Sequence, residues 1–140
     1  REAAKAAGAS LVIDGAAKDA ADQIRAATGG GAWAVIDFVG AGPTVKLGVD
    51  TAIKGGKVIV VGLFGGDVTI PTPFFPMKAL TVQGSYVGSL VEIAELLDLV
   101  KRTGAPDVPI KTRPLEQVNA ALNDLRGGRV IGRVVMTPGA

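Results

Sequence analysis

Two runs of nearly uninterrupted apolar residues, AVIDFV at 34–39 and KVIVV at 57–61, flank a segment with helical spacing. A strand with one wet face alternates apolar and polar residues; these runs do not, so both faces of each strand are expected to be covered. Gly40 and Gly62 close the two strands, the first turn runs to Pro43, and residues 44–53 supply a helix ending at Gly55 and Gly56. Strand, helix and strand in that order form the parallel crossover of an α/β sheet.

The other segments carry weaker patterns. Residues 1–7 read as an alanine-rich helix without a preceding cap, which predicts that the natural chain starts earlier. A short strand is expected at 11–13. A helix follows at 18–27, with Ala21, Ile24 and Ala27 as its apolar stripe, and Gly29, Gly30 and Gly31 end it. Residues 67–70 can form a short strand, and Pro71, Pro73 and Pro76 impose an extended connection. Residues 80–86 have strand composition. Ile93, Leu96, Leu97 and Val100 mark one face of a helix over 90–100. Gly104, Pro106 and Pro109 mark a loop. Val118, Leu122 and Leu125 place a last helix against a core, before a final strand at 130–136.

Composition removes several classes of function. The 140 residues allow one domain with a real core. The chain has no cysteine and no histidine, so it holds no disulfide, no thiolate, none of the usual zinc ligands and no imidazole proton shuttle. The net charge is only +2. Residues 101–133 hold seven basic and three acidic side chains, a surplus that could receive a phosphate-bearing ligand or simply be solvated surface. The cations are not interleaved with aromatics, so no nucleic-acid partner is expected. No apolar run reaches the roughly twenty residues of a membrane span, and no secretory leader opens the chain, so the expectation is no membrane association and a cytoplasmic location.

Parallel sheets bind ligands beyond the C-terminal ends of their strands. Those ends carry Phe38, Val39 and Gly40 after one strand and Val61, Gly62 and Leu63 after the next. Val61 and Gly62 could set backbone donors and acceptors beside a flat amide-bearing ring, or could only complete a buried turn. Gly65 and Gly66 fall short of any phosphate-binding fingerprint, and neither the GxGxxG nor the Walker pattern occurs. Asp37, inside an apolar strand, is read as a hydrogen-bonded structural acid; a cofactor contact or an acid at a domain interface are the other readings. Ser85 and Tyr86 form a polar lip, but no lysine follows Tyr86 at the four-residue spacing of a tyrosine-lysine reductase site, so an aromatic anchor is the simpler role. Ser10, Ser85 and Ser89 have no histidine partner for hydrolase chemistry. Glu92 and Asp98 sit on a solvated helix face. Arg133 follows Gly132 with apolar neighbours beyond it; a guanidinium there can bridge phosphate oxygens, end in solvent or pair internally.

The succession VIDFVG at 35–40, KVIVVG at 57–62, LTVQGSYVGS at 80–89 and GRVIGRVV at 128–135 resembles the medium-chain, zinc-type alcohol dehydrogenase family. EAAKAAGAS at 2–10 is similar to the helix and turn after that family's cofactor-ribose strand. The resemblance covers practically the whole chain and is to the C-terminal portion of a protein of that family. It implies a partial Rossmann-type, doubly wound parallel sheet over 1–86, lacking its first two strands, and a segment over 87–140 returning toward the catalytic domain.

By the same resemblance, Phe38, Val39 and Gly40 border the cofactor, Val61, Gly62 and Leu63 lie near the nicotinamide, Ser85 and Val87 approach its carboxamide, and Arg133 matches a cofactor-phosphate contact. The implied parent is an oxidoreductase interconverting an alcohol and an aldehyde or ketone with NAD, NADP being the other candidate. Its glycine fingerprint, ribose-selecting residue and zinc ligands would precede Arg1. This chain alone is then expected to be inactive and a poor binder, with no catalytic or metal residues of its own. Another segment or chain would have to cover the strand edges. Strands around 68–70 and 80–85 resemble the family's subunit contact, implying a homodimer or homotetramer. The alternatives are a zinc-independent quinone or enoyl reductase of the same superfamily, and a structural or assembly fragment without independent activity.

Overall fold

The computed structural model describes residues 1–106 and 108–139. The chain divides into two compact units: Ser10–Gly88 together with Arg1, and Ser89–Ala140 together with Glu2–Ala9, which contains helix α1 (Glu2–Ala6).

In the first unit, α2 (Ala20–Ala27) precedes β1 (Ala32–Asp37), α3 (Gly42–Thr51), β2 (Ala52–Val60), α4 (Phe74–Lys78) and β3 (Thr81–Gly84). The three strands form a parallel sheet in the order β1-β2-β3. The sheet is thus the parallel α/β arrangement that the apolar runs predict and the partial Rossmann-like sheet that the family resemblance implies. Val49, Ala52, Val58 and Leu80 form its buried core, with Val35, Ile70, Phe74 and Val82 packed against them. Val49 comes from α3 and Val58 from the middle strand, so burial of these aliphatic groups fixes the crossover helix on the sheet.

Several local expectations are corrected. The segment at 11–13 is not a strand; no described strand pairs with it, and an unpaired extended segment has no ladder. The segment at 67–70 is likewise irregular, and Ile70 serves as a core contact instead. Pro71–Pro76 does not run out as an extended link. It turns into α4, with Pro73 as N-cap and Pro76 in the first turn, where a missing N–H breaks no helical bond. Helix α3 starts and ends two residues before its expected limits. Thr51 Oγ1 donates to the Leu47 carbonyl at 2.7 Å in the last turn, and the chain passes directly into β2.

In the second unit, α5 (Leu90–Thr103) is followed by β4 (Ile110–Pro114), a 3-10 turn (Leu115–Gln117), α6 (Val118–Arg126) and β5 (Arg133–Thr137). Ser89 and Glu92 start α5 with a reciprocal cap: the Glu92 N–H donates to Ser89 Oγ at 3.2 Å and the Ser89 N–H to the Glu92 carboxylate at 2.6 Å. The predicted apolar face of α5 exists but is not covered, Ile93, Leu96 and Leu97 all being exposed. Strand β4, unanticipated in the proline-flanked stretch, pairs in parallel with β5, from Ile110 opposite Arg133 to Pro114 opposite Thr137. Asp124 of α6 ties the unit together by ion pairs to Arg113 at 2.8 Å and Arg129 at 3.0 Å. No described helix is long and apolar enough to cross a membrane.

Candidate functional site

Register decides which loops meet. Asp37 stands opposite Val60, and Val60 opposite Gly84, so β1, β2 and β3 end side by side on one edge of the sheet. The residues that follow are therefore brought together: Phe38, Val39 and Gly40, then Val61, Gly62 and Leu63, then Ser85 and Val87. The backbone ladder continues past the strands. The Val61 and Gly62 N–H groups both donate to the Asp37 carbonyl at 2.9 and 3.0 Å, and the Ser85 N–H to the Val60 carbonyl at 2.9 Å.

The first two loops are then stitched to each other. The Phe64 N–H donates to the Val39 carbonyl and the Gly65 N–H to the Gly40 carbonyl, at 3.0 and 3.1 Å. Gly40 and Gly62 permit this approach. A Cβ on Gly40, whose φ is +69°, would overlap the Gly62 carbonyl, and one on Gly62 would overlap the backbone of Val39 and Gly40.

Around this seam the surface is apolar. Phe38, Leu63, Phe64, Tyr86 and Val87 are 75% to 82% exposed, a rim of large hydrophobic side chains where three strands end. Exposed apolar side chains gathered where strands end make this edge the candidate binding site. Val87 has a φ of +43°, a left-handed conformation that a β-branched residue adopts at a cost of about 1–3 kcal/mol, and such strain concentrates at binding sites.

Beneath the rim lies a polar device. Asp37, 6% exposed, accepts hydrogen bonds at Oδ1 from the Val39 and Gly40 N–H groups at 2.8 and 3.0 Å, and at Oδ2 from the Thr44 hydroxyl at 2.7 Å. Thr44 Oγ1 in turn accepts from the Ala41 N–H at 3.2 Å at the start of α3. Burial alone would raise the carboxyl's pKa; the bonds from the Gly40 N–H, the Thr44 hydroxyl and the Val39 N–H outweigh it and hold the group below its ordinary value. Asp37 is thus the hydrogen-bonded acid that its place in an apolar strand predicts. Thr44 had no signal of its own, since its seven-residue distance from Asp37 acquires meaning only once the loop between them is folded.

Arg133 belongs to the other compact unit. It opens β5, is exposed, and sits on the rim of an apolar groove of about 250 Å³ lined also by Ala121, Leu122, Val134 and Met136. Among the described residues no ion pair engages it.

The family described as zinc-binding dehydrogenase matches residues 1–102. The chain belongs to that family. Curated relatives of this zinc-binding dehydrogenase chain include an NAD-dependent alcohol dehydrogenase of Sulfurisphaera tokodaii, 34% identical over 98% of the chain and 40% of the relative. Another is the protein of the same description from Saccharolobus solfataricus, 33% identical over the same shares. Among solved structures, the alcohol dehydrogenase of the archaeon Aeropyrum pernix superposes with a TM-score of 0.86 at 32% identity, covering 98% of this chain and 39% of that one. The chain therefore spans about two fifths of the length of the relatives it matches. The metal in the family's description finds no ligand set here. The sequence has neither cysteine nor histidine, and no described residues form a group of three acids able to hold an ion.

Proposed function

We propose that this chain supplies the nicotinamide-facing wall of an NAD(P)-linked oxidoreductase that interconverts an alcohol and its aldehyde or ketone. The observation that carries the reading is the in-register ending of β1, β2 and β3 beneath an exposed apolar rim, in a chain whose relatives are named NAD-dependent alcohol dehydrogenases. The relatives' names favour NAD over NADP.

The residues present fit such a ring. The paired backbones at Gly40 and Gly62 leave no side chain between the two loops, so a planar group could lie close to main-chain donors and acceptors. Phe38, Val39, Val61 and Leu63 would exclude water from its face, while Ser85 and Val87 would border its carboxamide. Nicotinamide held against these loops would supply the hydride acceptor for the alcohol carbon and, reduced, the hydride donor for the carbonyl. The Arg133 guanidinium, unengaged among the described residues, is proposed as a contact to a cofactor phosphate. The part of the chain through 86 would be the Rossmann portion, with 87–140 returning to a catalytic domain that holds the zinc ligands. The free edges of β1 and β3 would be covered by that remainder and by a second copy, in a homodimer or homotetramer working in the cytoplasm.

The test is a fluorescence titration of the intact protein with NADH and NADPH, paired with alcohol-dependent formation of NADH. Saturable binding with turnover of a primary or secondary alcohol is the expected result. Failure to bind either nucleotide overturns the reading.

A further inference from the structure

The buried carboxylate of Asp37 directs two of its bonds to the loop after β1, one of the three loops that carry the apolar rim. Oδ1 takes the N–H groups of Val39 and Gly40, the arrangement of an Asx-turn continued by one residue. Oδ2 takes the hydroxyl of Thr44, which belongs to α3 and so is held by the helix packed on the sheet. The carbonyls of Val39 and Gly40, thereby aimed, receive the N–H groups of Phe64 and Gly65 from the neighbouring loop. Thr44, Asp37, the 38–40 turn and the 62–65 loop form an unbroken chain of hydrogen bonds from a rigid helix to the rim. The carboxylate is neither ion-paired among the described residues nor left with a vacant buried oxygen, so its bonding capacity is spent on this loop.

We propose that Asp37 and Thr44 are positioning residues that set the two loops at the separation at which they receive the nicotinamide ring. This rests on the cofactor reading above. Neither side chain touches the ring; both act through the backbone of Val39 and Gly40. The clamp matters because loop ends without it are free to open, and ordering them on binding would be charged against affinity.

The test uses Thr44→Val, which keeps the side chain's shape and removes the hydroxyl, Thr44→Ser, which restores it, and Asp37→Asn as a second route into the network. Two readouts are taken on the intact protein. Amide hydrogen exchange reports whether the Phe64 and Gly65 amides open faster in Thr44→Val while the Val58 and Ile59 amides of β2 keep their protection. Titration with NADH and with ADP-ribose, which lacks only the nicotinamide, reports where any lost affinity resides. We expect Thr44→Val to weaken NADH about tenfold, a change of about 1.4 kcal/mol, to leave ADP-ribose unchanged, and to be rescued by Thr44→Ser. Asp37→Asn should move in the same direction.

Equal loss of both ligands, or rapid exchange throughout the sheet, means a role in folding only and overturns the proposal. So does unaltered exchange at Phe64 and Gly65, or unaltered NADH affinity. If the unsubstituted protein binds no NADH, the cofactor reading fails and the proposed purpose with it, while the exchange readout still separates a real clamp from none.

Discussion

Gly40 and Gly62 face each other so closely that a methyl group on either would occupy the backbone of the other's loop. This contact joins the ends of β1 and β2 and excludes side chains from the middle of the rim.

Substituting Gly62 by alanine is therefore expected to destabilise the protein by about 3 kcal/mol, the upper range for an added group in a packed position, because backbone cannot move aside as a flexible side chain can. Gly40→Ala should cost at least as much, since its φ of +69° adds strain to the overlap. Urea denaturation of both variants measures the loss, and values near zero would show that the loops stand further apart.

Asp37 should make stability fall in acid. Its folded-state pKa lies below the ordinary value of 3.8, because the hydrogen bonds outweigh its burial. Its contribution is thus present above the unfolded value and is lost as pH drops through the folded one. Unfolding free energies followed downward from neutral pH should converge between the unsubstituted protein and Asp37→Asn. A constant gap between the two would contradict the assignment.

Val58 is wholly buried at the centre of the sheet, between Val35 of β1 and Val82 of β3 in register. Val58→Ala is expected to cost about 2 kcal/mol from lost transfer energy and residual cavity. Chemical denaturation should show the shift in midpoint without a change in cooperativity.

Lys78 closes the far end of α3. Its ammonium donates to the Val49 carbonyl at 3.1 Å, lies near the Asp50 and Ala52 carbonyls, and rests 5.0 Å from the centre of the Phe74 ring. Lys78→Met keeps much of the apolar stem and removes the cation, and should cost about 1 kcal/mol through the helix end and the ring together. Thermal melts of the two proteins give the comparison.

Much of this architecture was readable because burial writes itself into composition. The AVIDFV and KVIVV runs predict a parallel sheet, and the sheet places their Asp37 and Val60 side by side; the covering of both faces that they also predict is not met among the described residues, where Ile36 of β1 is 57% exposed. The short elements were less legible for the opposite reason. Residues 11–13 have strand composition but no pairing partner, and a strand is a property of two segments. Proline at 73 and 76 suggested extension, yet both fall where a helix start tolerates them. Strand β4 owes its existence to β5, which pairs with it from Ile110 opposite Arg133 onward, a contact no local pattern announces. At the rim, the glycines after each strand were visible, whereas the bond from Thr44 to Asp37 depends on a folded turn.

The central claim is that the loops after β1 and β2 face the nicotinamide. The most direct measurement is methyl NMR of the intact protein, following Val39, Val61 and Leu63 during titration with NADH and, separately, with ADP-ribose. The dihydronicotinamide ring, present in NADH and missing from ADP-ribose, should shift the three residues' methyl signals with NADH and leave them nearly still with ADP-ribose. Identical shifts with both ligands, or no movement at these residues while Leu122 and Val134 respond, would contradict the account.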